Sequence, residues 1–242
     1  MPGERRSGVL LLDSGGVLAR ALAVQLTSAG ADVYCHSRER SAETLRHLDG
    51  DDFENPVCGE RADDILATWD MAQRPIQGIV FGALPIEQAS MDSLDDIDAL
   101  AIRVENGLLR FLSELQAAGR LLVRHGGQIW VMTSDLGMRF CMPLDACCIE
   151  TRAKQAAVKS FAQEVSHMGI AINCASIQLL AEQAPPQQWR AQRDRLKIHA
   201  VRFHPPGAQA VARTLAGFLL QKDLPMSGVV VPIGIGMAEP NV

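Results

Sequence analysis

The chain has 242 residues, 48% hydrophobic and 21% charged, which suits one α/β domain with a full core and excludes a disordered chain. Its net charge of −5 leaves no basic footprint for nucleic acid or an anionic membrane surface; Arg190, Arg193 and Arg195 cluster, but among acidic and neutral residues, as on a solvated helix face. Six cysteines, Cys35, Cys58, Cys141, Cys147, Cys148 and Cys174, lack C-x-x-C spacing and a histidine at ligand spacing, which predicts reduced thiols, no metal site and a cytoplasmic location.

The polar start Met1–Arg6 leads directly into Val9–Leu12, an apolar run too short for a signal core or membrane span, which reads as a first buried strand. From there short apolar runs alternate with longer amphipathic stretches. Leu18–Ser28 reads as a helix ended by Ala29-Gly30, Asp32–His36 as a second strand, and Ser41–Leu48 as a helix with Ser41 at its N-cap. Pro56–Cys58 follows as a third strand, Ala62–Ala72 as a helix and Gly78–Gly82 as a fourth strand. Apolar residues at Leu100, Val104, Leu108, Leu112 and Leu115 predict a long helix from Ile97 to about Val123. Next come a strand at Gln128–Thr133 after Gly126-Gly127, a helix over Asp145–His167 and a strand at Ile170–Ala175. An irregular stretch, Gln178–Phe203, carries Pro185-Pro186 and a polar helix; a last helix, Ala208–Gln221, and a last strand, Gly228–Ile233, close the chain. Strands joined by helices predict a single Rossmann-like α/β domain over residues 1–242, with its core at about 8–238. Its sheet is expected to be parallel and doubly wound, with about seven strands and helices on both faces.

Three segments carry a family likeness. Gly126-Gly127-Gln128-Ile129-Trp130-Val131-Met132-Thr133-Ser134 is similar to a fifth strand that ends in a catalytic serine. Ala162-Gln163-Glu164-Val165, then Gly169-Ile170-Ala171-Ile172-Asn173, is similar to the following helix end and sixth strand. Gly228–Ile233 with Gly236-Met237 matches the closing strand. In order and spacing, from about Gly8 to Met237, the chain resembles the short-chain dehydrogenase/reductases.

That resemblance sharpens what is missing. The family's T-G-x-x-x-G-x-G loop falls on Leu12-Asp13-Ser14-Gly15-Gly16-Val17-Leu18-Ala19, so Asp13, Val17 and Ala19 replace its three glycines while Gly15 and Gly16 still permit a turn. Glycines there allow backbone to approach a pyrophosphate at a helix N-terminus. Val17 would set a branched side chain in that path, and Asp13 would add repulsion of about 1–4 kcal/mol depending on screening. Cys58 stands for the adenine-binding aspartate, Phe81-Gly82-Ala83-Leu84 for N-N-A-G, Ser176-Ile177 for the P-G pair and Ala181 for the threonine after it. Arg38 alone keeps a cofactor-like place, where an arginine can hold a 2′-phosphate; a surface arginine beside a turn is the blander meaning.

At the catalytic positions the resemblance puts Ser134 on the serine and Asn106 on the asparagine of the water relay, with Phe111 on the aromatic that follows. Counting forward from Ser134 and back from Asn173 gives the same result: Cys147 replaces the proton-donating tyrosine and Thr151 replaces its lysine. A thiol is a weak donor, and a threonine carries no charge to lower a donor's pKa. Tyr34, the chain's only tyrosine, falls in the second strand. Glu150 and Lys154 repeat the tyrosine–lysine spacing, but at a three-residue shift, and form an ordinary surface ion pair at i, i+4.

The expectation is therefore a catalytically inactive subunit that holds no cofactor itself. It would support an active NAD- or NADP-dependent relative of the hydroxyacyl-CoA or 3-oxoacyl type, in a hetero-oligomer such as a heterotetramer. The helices near residues 97–123 and 145–167 would form the contact. Two alternatives stand beside it: a divergent NAD(P)H-dependent oxidoreductase with another proton donor, and a regulatory protein that holds a small ligand.

Overall fold

A computed structural model describes residues 8–13, 16–36, 56–57, 62–82, 97–134, 146–177, 180–183 and 204–234. Seven strands form one sheet: β1 (Gly8–Leu12), β2 (Asp32–His36), β3 (Pro56–Val57), β4 (Ile76–Phe81), β5 (Gly127–Ser134), β6 (Ile170–Ile177) and β7 (Val230–Ile233). Their order is β3-β2-β1-β4-β5-β6-β7 and every pairing is parallel. The helices are α1 (Val17–Ser28), α2 (Ala62–Thr68), α3 (Ile97–Leu122), α4 (Ala146–Val165) and α5 (Ala208–Leu219). The doubly wound α/β architecture is as the alternation of runs predicts.

Alternate strand residues feed two cores. Val9, Leu11, Val80, Trp130, Met132, Ala175 and Ile177 pack with α1 and α5; Leu10, Leu12, Ile79, Phe81, Ile129, Val131 and Ile172 pack with α3 and α4. Because both faces are covered, β1 is buried at every position, which is why it reads as an unbroken apolar run. Trp130 stacks on Phe218 with ring centroids 5.2 Å apart, and its indole N–H donates to Gln128 at 3.0 Å.

Several ends differ from the sequence expectation. The helix expected to reach Ala72 stops at Thr68, because the Asp70 carboxylate accepts from the Ala72 and Gln73 N–H groups and folds a turn instead. The helix expected to reach His167 ends at Val165, tightens into a 3₁₀ turn over Ser166–Met168, and is closed by Gly169 at φ 71°. β6 runs to Ile177, beyond Ala175, and β4 begins at Ile76. The expected helix at 41–48, the polar helix within 184–203, and Gly236-Met237 lie outside the described residues.

At the centre of the sheet β1 and β4 come together closely. The Gly82 N–H donates to the Leu12 carbonyl at 2.8 Å, and a Cβ on Gly82 would stand 2.9 Å from that same oxygen. The obstruction is backbone and cannot swing away. Gly82→Ala should therefore cost about 1–3 kcal/mol of overpacking, read as a lower midpoint in chemical denaturation at unchanged slope.

Candidate active site

Sheets of this topology receive ligands outside the carboxyl ends of their strands, where the strand order reverses; here that is the crevice between β1 and β4. Five described positions define its floor: Asp13 after β1, His36 at the end of β2, Gly82 after β4, Ser134 at the end of β5 and Ile177 at the end of β6.

Asp13 carries the unusual geometry. Its φ of 56° makes it the non-glycine residue with a left-handed backbone among those described, at the position where the resemblance calls for glycine. Aspartate tolerates that conformation better than most residues. Its carboxylate turns inward, 13% exposed, and meets Arg110 of α3, with Nη2 to Oδ2 at 4.0 Å. Burial pushes the Asp13 pKa up, against the pull of Arg110, His36 and Lys154. Arg110 Nε also donates to Glu114 at 3.1 Å. Glu114 is a buried carboxyl whose pKa burial raises, with Arg110 opposing and Asp13 and Asp63 adding to the rise.

α4 contributes the other half of this charged seam. Lys154 pairs with Glu150 at 2.5 Å and lies 5.5 Å over the Phe111 ring. Their side chains are only 17% and 21% exposed, so this is not the surface pair the spacing suggests. Gly107 makes room for it: a Cβ there would stand 3.2 Å from the Glu150 carboxylate. Gly119, facing Phe161 at 3.0 Å, brings the two helices together further along.

Thr151 is buried on α4, one helical turn before Gln155, which is also buried. Gln155 Nε2 donates to Thr133 Oγ1 at 3.4 Å, and that hydroxyl is 3.3 Å from Cys174 Sγ. Burial pushes the Cys174 thiol up to about 11, which leaves it a protonated structural thiol. Ser134 is half-buried directly after Thr133, while Asn106 is exposed on α3. Cys147 lies in the first turn of α4. Tyr34 is buried on the α2 side of the sheet, edge-on to Trp69 at 5.0 Å. Burial raises its pKa, and Asp32 adds to the rise.

In the loop after β1, Gly16 caps α1 in an extended conformation without a side-chain bond, Val17 is exposed, and Ala19 is buried. Gly15, Arg38, Cys58, Cys141, Ala83, Leu84 and the arginines at 190, 193 and 195 lie outside the described residues. Among the described residues no group of three or more His, Cys, Asp or Glu could hold a metal, and no helix is long and apolar enough to cross a membrane. A cavity of about 450 Å³ opens at the opposite edge of the sheet, where β5 and β6 begin, lined by Gln128, Ser166, Lys222 and Asp223 among others. Sequence reasoning missed Arg110 and Glu114. Their i, i+4 spacing was the available signal, but only the fold brings Asp13 to them.

Comparison with known proteins supports the fold. No family model matches the chain, and no curated protein does. Solved structures do. A short-chain dehydrogenase/reductase from Serratia marcescens superposes with a TM-score of 0.76 at 14% identity, over 95% of this chain and 97% of that one. A 3-oxoacyl (acyl-carrier-protein) reductase from Agrobacterium tumefaciens with NADP bound gives 0.76 at 18%, over 96% and 94%. ElxO with NADP bound gives 0.75 at 15%, over 95% and 97%. The chain shares their fold.

Two consequences can be measured. Asp13→Ala should be less stable than Asp13→Gly by about 1 kcal/mol or more, since both lose the carboxylate and only alanine resists φ 56°; equal stabilities would show that the turn relaxes. Glu114 holds its proton more tightly folded than unfolded, so its ionisation favours the unfolded chain, and the penalty grows as pH rises from its ordinary 4.5 through the raised folded value. Glu114→Gln should therefore gain on the wild type in denaturant titrations as pH rises above 4.5, and a constant difference would exclude the effect.

Proposed function

We propose that this chain is a non-catalytic subunit on a short-chain dehydrogenase/reductase fold that assembles with and supports an active NAD(P)-dependent relative. The observation that carries this reading is Asp13: a carboxylate, already engaged by Arg110, stands where a dinucleotide needs bare backbone. The described residues do not fit that cofactor, since Val17 adds an exposed branched side chain at the α1 N-terminus. At the site of proton transfer the reading is supported by Thr151, buried with Gln155 beside Thr133 in place of a lysine. The outer face of α3 and α4 supports assembly: Ile102 is 58% exposed, Leu109 59% and Ile149 53%, with Leu112 beside them. Large apolar side chains grouped in this way suit a subunit contact better than water. The partner is a related subunit that carries its own NAD or NADP, and the 3-oxoacyl reductase among the structural neighbours makes a 3-oxoacyl or hydroxyacyl chemistry the one to test first.

A divergent reductase is the second reading, favoured by the NADP in the neighbouring structures. Co-expression with a genomically adjacent reductase, followed by size-exclusion chromatography and NADPH titration, separates the two. The first reading expects a hetero-complex and no saturable micromolar binding of NADPH by the isolated chain; micromolar affinity of that chain would overturn it. Leu109→Glu with Ile149→Glu should abolish the complex while leaving the fold intact by circular dichroism. Cys147→Tyr with Thr151→Lys should give no turnover, because the crevice still carries Asp13 and Val17.

A further inference from the structure

We propose that the cavity of about 450 Å³ beside the segment joining α5 to β7 is a binding site for an α-amino acid with an apolar side chain. It opens at the opposite edge of the sheet from the crevice, and its lining takes no residue from α3 or α4. The site therefore stands apart from the subunit reading.

Its walls are fixed before any ligand arrives. Residues 221–229 pass along the starts of β5 and β6 as a strap, and side chains of the sheet hold it. Asn173, fully buried on β6, donates to the Met226 carbonyl at 3.0 Å and accepts from the Val229 N–H at 3.1 Å. The Ile172 N–H donates to Ser227 Oγ at 3.0 Å. Gln128, buried on β5, donates to the Gln221 carbonyl and accepts from the Trp130 indole. Gly228 turns the strap into β7 at φ 75°, and a Cβ there would stand 3.3 Å from Ala162. A cavity held in this way spends little of a ligand's binding energy on ordering itself, and its volume is in the range that takes a small molecule.

The same bonds decide what recognises the ligand. With the Gln128 and Asn173 amides committed to the strap and to Trp130, the charged groups of the lining are Lys222 and Asp223. Both are exposed, and neither forms an ion pair among the described residues. They are adjacent, about 3.8 Å apart at Cα, so a ligand that meets one charge also meets the other. A simple anion gains at Lys222 and loses at Asp223, and a simple cation does the reverse. A zwitterion gains at both. The rest of the wall is largely apolar: Leu224 and Met226 are half-buried against the α1–α5 core, Pro225 lies between them, and Ile170 and Ala171 come from β6. Two opposite charges beside such a wall match the two ends of an α-amino acid and its apolar side chain.

Calorimetric titration of the whole chain with L-leucine tests the assignment. Two analogues accompany it: 4-methylpentanoate, which lacks the ammonium, and 3-methylbutylamine, which lacks the carboxylate. Leucine should bind saturably, and each analogue about tenfold or more weakly, the scale of one charge-assisted contact. Lys222→Ala should weaken leucine by a similar factor without weakening 3-methylbutylamine. Asp223→Ala should weaken leucine likewise without weakening 4-methylpentanoate. Because both side chains are exposed, these variants should keep the wild-type denaturation midpoint, so they stay informative even if Ala171→Trp, designed to fill the cavity and abolish binding, folds poorly. No saturable binding of leucine at millimolar concentrations, equal affinity for leucine and both analogues, or leucine binding that survives both Lys222→Ala and Asp223→Ala would overturn the proposal.

Discussion

The end of β1 and the end of β4 are pressed together with no space for a side chain between the Leu12 carbonyl and Gly82. That contact leaves the chain after β1 little choice of exit, and Asp13 leaves in a left-handed turn. The turn in turn decides where its carboxylate points: toward α3 and Arg110 rather than out along the loop. The neighbouring seam obeys a similar constraint. Gly107 and Gly119 let α4 approach α3, and the approach half-buries Glu150 and Lys154 beside Phe111. An ionic cluster thus follows from close backbone contacts at two places. Such clusters contribute little net stability, because desolvation offsets most of the Coulomb attraction. Removing one member is another matter, since it leaves its partner buried and uncompensated. The effect here is chiefly positional: Arg110 links the turn after β1 to a long helix that spans the domain.

Much of the fold can be read directly from the residues, because a parallel sheet covered on both faces needs apolar runs, and this chain punctuates them with glycines. Val9–Leu12 and Asp32–His36 fall where expected, and Gly30 ends α1 as read. Ends were less legible wherever a side chain competes with the helix, as Asp70 does beyond Thr68. The site was legible one residue at a time and not as an arrangement. Asp13, Val17 and Thr151 each stand out against a glycine or lysine pattern. That Asp13 turns inward could not be seen without its φ, and Arg110 is an unremarked helix residue until β1 ends beside it. The Glu150–Lys154 spacing was visible, but burial of the pair depends on Gly107 of another helix.

On the proposed reading, the changes at the two positions are coupled through this packing. A tyrosine on α4 is a useful acid only when a nearby cation lowers its pKa, and on the proposed reading the position for that cation is held by Thr151. Thr151 is closed off by the sheet, in a layer where Gln155, Thr133 and Cys174 already satisfy one another. A lysine placed there would bring an ammonium into a site that raises the Cys174 thiol to about 11, a direction that shows how poorly charge is solvated at that depth. Lys154, one turn further, is committed to Glu150 and the face of Phe111. The turn after β1 and the surroundings of Thr151 are thus each packed around internal partners. If the proposed reading holds, redox chemistry would require breaking contacts at both, and the steps do not help one another: a lysine at position 151 does nothing without a cofactor, and a bare loop does nothing without a donor.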